Sequence, residues 1–371
     1  MTQPSLSFPA GGLEQTHALH ATSSGFQPIG NLDEGLKRRS LLNCSKLSLA
    51  SFSGPRLLTS RGNDRKGKII MPYDFSLSSG SLSNGRTVYY AQLLASNEPK
   101  FVIGYGTMYE GNHGLFNTSL KGNPLYSPAE YEKDFGFWPY FIYPTAKAES
   151  GGSFICLNTY DRAKFTFSFM QYAAHVPNGD FVRFLKKLLV LPNAGDYFPK
   201  LVLQNNRIFY KNQNNTLTQL ESDASTEALM NYFNPSLSEI ENQELICSAR
   251  MVHWATNDPL HRKVQIETAI ENFKTNMVQY DQRFNLDNVP AKVCEVICDI
   301  RHQGRATNDR IAAALNTNGD YKKAFQNLLT IGNANYSERI KTVKNTINTL
   351  LDDGIFNKKY QRVTNEFVAI P

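Results

Sequence analysis

The chain has 371 residues, enough for one large domain or two of ordinary size. With 41% hydrophobic and 19% charged residues it is globular in composition, which excludes a disordered or low-complexity protein. A net charge of +6 gives mild attraction to anionic polymers and is too small to choose between nucleic acid, wall glycan and a membrane surface.

The opening segment "MTQPSLSFPAGGLEQTH" lacks the basic start and apolar core of a secretion signal. Synthesis in the cytoplasm without a signal peptide is therefore expected. Residues 1 to about 66 sustain no period and read as a leader or irregular cap. From about 67 to 120 the signals are β: "KIIMPYDFSL", "SNGRTVYYAQLL" with Asn84-Gly85 as a turn, and "KFVIGYGTMYEG". Residues 1–100 are assigned to an irregular, β-leaning accessory region and 101–371 to the main domain.

Helical signals dominate from residue 127. "SPAEYEKDF" opens with Ser127-Pro128. "FWPYFIYPTAKAE" reads as an apolar helix ending at Glu149, broken by Ser150-Gly151-Gly152. "NGDFVRFLKKLLVLP" places Phe181, Phe184, Leu185, Leu188 and Leu189 at helical spacing, with Asn178 or Asp180 as N-cap. A β island follows at "KLVLQNNRIFYKNQNNTLTQLE", turned at Asn205-Asn206 and Asn214-Asn215. Helices are expected at about 236–255, 259–281, 289–302 and 336–352, the last ended by Gly354. The fold class is α+β: a helical majority interrupted by short hairpins, behind a β-leaning N-terminal region. No run of ~18 apolar residues is present, so no membrane span is expected. The five cysteines (Cys44, Cys156, Cys247, Cys294, Cys298) are odd in number and scattered, which argues against a disulfide framework. Cys294 and Cys298 share a helix face without the further ligands that zinc needs. All five read as small buried residues; no metal and no cofactor is expected.

The chemistry concentrates at "AESGGSFICLNTYDRAKFTFSFMQYAAH". A carboxyl at the end of an apolar helix, near Trp138 or Phe154, is poorly solvated, which raises its pKa and keeps it protonated near neutral pH. Glu149 is thus the candidate general acid for a glycosidic oxygen. Asp161, in the polar turn "NTYDR", is expected to stay ionised and to act as base or electrostatic partner across a cleft, or else to form a turn through its own backbone. Thr159 and Thr166 are candidates for positioning water, and Gln171 and Tyr172 for lining a sugar groove. His302 either faces that groove or partners Asp299. Glu110, on a Gly-flanked loop, is a rival acid with better solvation. A Cys156–His175 nucleophile pair is physically possible, but Cys156 between Ile155 and Leu157 reads as buried. "GYGTMYEG" is not a dinucleotide fingerprint, and P-loop, His-Glu-x-x-His and Gly-x-Ser-x-Gly motifs are absent.

Glu149-Ser150 followed by "FTFSFMQYAAH" resembles the lysozyme superfamily, particularly goose-type lysozymes and lytic transglycosylases. There a catalytic Glu-Ser precedes a small hairpin and a Gly-Leu-Met-Gln run. Met170-Gln171 matches the end of that run, with Ser168-Phe169 where Gly-Leu is usual. Downstream, "VQIETAIENFKTNMVQYDQRFNLDNVPAKVCEVICDIRHQGR" resembles the C-terminal lobe of chitosanases, with Asp299, His302, Gly304 and Arg305 at comparable places, and "IAAALN" the short helix that follows. The resemblance spans roughly residues 127–360. It implies a lysozyme-like domain that cleaves a β-1,4-linked amino-sugar polymer, peptidoglycan first and chitosan second, by hydrolysis or by attack of the sugar's own 6-hydroxyl, as in lytic transglycosylases. A basic chain without a signal fits a phage lysin, or an antibacterial toxin effector carried to the periplasm or cell wall by a delivery apparatus, with a cognate immunity protein as partner. Nucleic acid is not an expected partner. The reading from a different class is a non-catalytic wall-binding or structural protein.

Overall fold

The computed structural model describes residues 72–371 apart from 95, 119, 121 and 122. Cys44, the leader expected over 1–66 and the start of the first expected strand lie outside the described residues. The chain enters an antiparallel meander of β1 (Phe75–Ser81), β2 (Thr87–Leu93), β3 (Phe101–Tyr109) and β4 (Asn112–Phe116). Asn84-Gly85 turns β1 into β2, with Gly85 at φ 79° and the Asn84 side chain accepting from the Arg86 amide at 3.1 Å. A 3-10 turn (Pro128–Glu130) and α1 (Glu132–Phe135) lead into α2 (Trp138–Ser150). The sheet then resumes with β5 (Leu157–Asn158), β6 (Thr166–Phe167) and β7 (Tyr172–Ala173), in sequential order β1 to β7. It runs without interruption across residue 100: β2 and β3, on either side of the boundary drawn there, are hydrogen-bonded neighbours.

After α3 (Asp180–Leu188) and α4 (Ala194–Tyr197) come β8 (Leu201–Gln204), β9 (Arg207–Lys211) and β10 (Leu217–Gln219). Asn205 and Asn206, at φ 49° and 57°, form the two-residue turn between β8 and β9. The helical half comprises α5 (Glu227–Phe233), α6 (Asn242–Asn257), α7 (Pro259–Phe284), α8 (Ala291–Gln303), α9 (Asn308–Leu315), α10 (Tyr321–Thr330) and α11 (Asn333–Asp352). A hairpin of β11 (Lys358–Gln361) and β12 (Glu366–Ala369) ends the chain. The architecture is α+β. Asp258 caps α7 by accepting from the Leu260 amide, with Pro259 in the first turn. At α3 the capping position falls to Gly179, between the two residues expected there, with Asn178 left-handed at φ 55°. No helix among the described residues is long and apolar enough to cross a membrane.

The centre of the helical half is α2. Trp138, Phe141, Ile142 and Ala146 are fully buried around it, as befits a helix with apolar residues on more than one face. It packs against α7, α8 and α11. Pro139 sits in its first turn and Pro144 in its interior, where the missing N–H leaves the Tyr140 carbonyl without its helical donor. The terminal hairpin clamps the start of α2: Phe367 lies 4.5 Å from the Phe141 ring and 5.3 Å from Trp138, whose Nε1 donates to Glu366 at 2.6 Å. At the far end Gly151 turns left-handed (φ 65°) and its amide returns to the Ala146 and Lys147 carbonyls, which stops the helix one residue beyond Glu149.

Within the sheet, β4 closes onto the loop after β5 at Gly114. A Cβ there would stand 2.7 Å from the Thr159 carbonyl carbon, Thr159 Oγ1 and the Tyr160 amide, so only glycine lets β4 approach the loop after β5. Gly114→Ala is expected to destabilise the fold by about 1–3 kcal/mol, seen as a lower urea midpoint at unchanged slope. An unchanged midpoint would show that this contact yields without cost.

Candidate active site

Three helices and the residue just past Gly304 bring six ionisable side chains and one hydroxyl together. From α2 come Thr145 and Glu149, one turn apart and therefore on one face. From α8 come Glu295, Asp299 and, in the last turn, His302; Arg305 follows just past Gly304, and Arg339 enters from α11. On α11 Arg339 precedes the buried Val343 by four residues, so the stripe that packs the helix inward also carries the guanidinium inward.

Asp299 is the hub. It is fully buried and accepts from Arg339 Nη2 at 2.7 Å and Nε at 3.1 Å on one oxygen, and from Arg305 Nη1 on the other. Arg339 reaches onward: its Nη1 is 2.8 Å from Glu149 Oε1, close enough for a strong ion pair but off the axis of a well-formed hydrogen bond. His302 Nε2 stands 3.1 Å from the same oxygen. Thr145 Oγ1 lies 2.9 Å from Glu295 and 3.3 Å from Asp299, and its single proton serves one of them at a time. Two guanidiniums therefore face two carboxylates in a dry interior.

These neighbours decide the protonation states. Burial pushes the Glu149 carboxyl up, but the Arg339 charge and the His302 hydrogen bond outweigh it and hold it below its ordinary value. The expectation of a proton held at neutral pH is therefore corrected: an apolar helix end raises a carboxyl only when no cation follows it inside, and here Arg339 does. Asp299 is likewise lowered, its burial overcome by Arg339 and Arg305. Glu295 goes the other way, raised well above its ordinary value by burial and by repulsion from Asp299. It is the neutral member.

The remaining candidates fall in several places. Ser150 ties the end of α2 to the small strands, donating to the Phe169 carbonyl at 2.7 Å. Asp161 is half-buried in the loop between β5 and β6 and accepts from the Ala163 amide at 2.8 Å, a turn-forming bond. Gln171, left-handed at φ 55°, is partly exposed and donates to the Ser168 carbonyl. His302, with about a quarter of its side chain exposed, is the member of the Glu149 cluster that reaches the surface. Tyr172 and Thr166 do not line an open groove. Both are buried, and the Tyr172 hydroxyl is spent on the Gln265 carbonyl at 2.7 Å. Alternation along a short strand names the facing residues but not which face the helices cover, and here α3 covers Tyr172. Glu110 is exposed at the tip of the β3–β4 hairpin. The Cys156 thiol, fully buried beside Glu149, is pushed up by desolvation and is a poor nucleophile. Thr159 Oγ1 accepts from the Leu115 amide at 2.6 Å and donates to Glu244, a fully buried acid raised to about 8 by desolvation.

Arg339, Glu295 and Thr145 were not singled out from the sequence. The signal for the two ionisable residues was present as charged residues on apolar stripes: Arg339 in register with Val343, Ile347 and Leu350, and Glu295, like Asp299, among Val293, Val296, Ile297 and Ile300. Fully buried ions demand partners. Among the described residues no His, Cys, Asp and Glu group is arranged to hold a metal. A cavity of about 380 Å³ at the end of α7, lined by Asp281, Tyr360 and Arg362, shares no residue with the cluster, and its two charges neutralise each other. The chain matches no protein-family model, no curated protein and no solved structure.

Two stability predictions follow from these protonation states. Glu149 and Asp299 are lowered, so what they contribute is present above their unfolded values, about 4, and is lost as the pH falls through the folded ones. Asp299→Asn is expected to cost about 3–5 kcal/mol at neutral pH, because it takes the paired carboxylate from Arg305 and one of two from Arg339, and to flatten the acid limb of stability against pH. An equally steep limb in the variant would remove Asp299 as its source. Glu244 is raised, so the folded state binds more protons than the unfolded one and stability falls as pH rises from about 4.5 to about 8. Glu244→Gln should abolish that fall and recover roughly 3–5 kcal/mol at pH 8 and above, read from urea midpoints across the range.

Proposed function

We propose that the chain is a glycoside-cleaving enzyme of lysozyme-like type, acting on a β-1,4-linked amino-sugar polymer with peptidoglycan as the first choice. The observation that carries the reading is the placing of Glu149. It ends a buried helix, is followed at once by a left-handed break and three short antiparallel strands, and is held from the other side by α8 and α11. A carboxyl fixed between a helical half and a small sheet is equipped to meet a bridging oxygen in one geometry. Glu149 would protonate the leaving oxygen as the anomeric carbon gains oxocarbenium character. Asp161 would stand as base or charge partner, while Gln171 and His302 keep a surface position suited to substrate. Release of an anhydro end would assign the attack to the sugar's own hydroxyl; release of a hydrated end would assign it to water. Chitosan is the second substrate. Delivery to the periplasm or cell wall, as a lysin or as a toxin with an immunity partner, belongs to the same proposal.

An acid held below its ordinary pKa works from its minor, protonated form. The expected kcat/KM therefore rises as the pH falls toward the folded value of Glu149. His302→Gln removes one of the groups that lower it and should move this limb to higher pH, an effect that a purely structural histidine would not produce. The deciding measurement is a digest of purified peptidoglycan with mass analysis of the fragments. Glu149→Gln is expected to lose about 10²-fold or more in rate, and equal clearing by both proteins, or by neither, rejects Glu149 as the acid. One observation favours the non-catalytic alternative: the Glu149 side chain is only 4% exposed and already paired with Arg339 and His302. Binding of the glycan without any cut fragment would establish that reading instead.

A further inference from the structure

Two tyrosines meet beside Asp161 where the β3–β4 hairpin comes alongside the loop after β5. Tyr109 and Asn112 face each other across the two-residue turn Glu110-Gly111, whose φ values of 51° and 83° are those of a type I′ turn. That turn fixes where Tyr109 points. Its ring lies 6.1 Å from Tyr160 at an interplanar angle of 56°. Tyr160 is nearly buried, whereas Tyr109 keeps an accessible side. The loop beneath is rigid: the Thr159 hydroxyl is held by Leu115 and Glu244, the Thr159 carbonyl accepts from Asn234 Nδ2 at 2.9 Å, and Asp161 closes a turn on Ala163.

We propose that Tyr109, backed by Tyr160, is a stacking subsite for one pyranose ring of a β-1,4-linked amino-sugar chain, next to Asp161. The inference rests on the glycosidase reading above and adds a place where the polymer is held. A pyranose offers a face of C–H groups, weakly positive, that packs on the negative face of an aromatic ring, while its rim of hydroxyls seeks acceptors. The Glu110 and Asp161 carboxylates stand on the two loops that carry the rings. A preformed aromatic surface on a tight turn loses little freedom on binding, which favours a subsite that holds the chain.

The test uses Glu149→Gln in the full chain, so that a bound oligosaccharide is not consumed, and titrates it calorimetrically with hexa-N-acetylchitohexaose and with purified peptidoglycan strands. Adding Tyr109→Ala should weaken binding roughly tenfold, whereas Tyr109→Phe, which keeps the ring and loses the hydroxyl, should stay within about threefold of the parent. Tyr109 is at a hairpin tip, and unfolding curves of the variants check that the fold is retained. In the otherwise native chain Tyr109→Ala should raise KM with little change in kcat. Unchanged affinity in Tyr109→Ala, or no binding of either glycan by the parent, overturns the subsite. A native chain that binds both glycans and cuts neither overturns the catalytic reading, while the Tyr109 variants still decide the subsite.

Discussion

The helices α2, α8 and α11 meet around a buried network of ion pairs and hydrogen bonds. Asp299 takes two guanidiniums, and one of these, Arg339, continues to Glu149. Each of these charges would be prohibitively costly alone in such surroundings, and each is tolerable because it is paired: Arg305 folds back from the end of α8, and Arg339 arrives from α11. The consequence is geometric. Helices α2, α8 and α11 have to meet in one register for the charges to cancel, whereas aliphatic packing alone would accept neighbouring registers at little cost. Such specification by buried charge is well attested where a polar group fixes register. Here it also sets the height at which Glu149 leaves α2.

The network is closed on its third side by a proton rather than by a cation. Glu295 lies one turn from Asp299 on α8, and two adjacent anions would leave the cluster with an excess negative charge. Raising Glu295 until it stays neutral resolves this, and Thr145 can then carry a hydrogen bond between the neutral and the ionised acid. The cluster is thus balanced internally, and its one contact with the outside is His302. A ligand at that surface meets an imidazole backed by a carboxylate, itself backed by an arginine.

The sequence disclosed much of this fold because its local signals are strong and agree with one another. Asn84-Gly85 and Asn205-Asn206 turn hairpins, Pro259 opens a helix behind its Asp258 cap, and the apolar stripe of α11 predicts its buried face. What was not legible depends on which surfaces meet. The acid at position 149 looked protonated because only its own helix could be seen. The cation that reverses the conclusion lies 190 residues downstream in the numbering and enters through a tertiary contact. Tyr172 looked like a groove residue for the same reason, since the pattern of a two-residue strand does not say which face a helix covers. The pairing of Glu244 with Thr159 likewise joins elements that sequence spacing gives no cause to associate.

Access, more than intrinsic acidity, discriminates among the buried acids. Glu244 and Glu295 hold protons where Glu149 does not, and on pKa alone either would be the better donor. Both are fully sealed, one between the sheet and α6, the other within the helical core, and a proton that cannot reach a substrate oxygen does no chemistry. Glu149 differs in touching the one ionisable side chain of the cluster that is partly open to solvent. Under the glycosidase proposal its lowered pKa is then no objection. A sugar chain that displaced His302, or excluded water from it, would remove a hydrogen bond that favours the anion and strengthen the desolvation that favours the acid. Binding would in that way raise the fraction of Glu149 carrying the proton, coupling its supply to the arrival of the bond that consumes it.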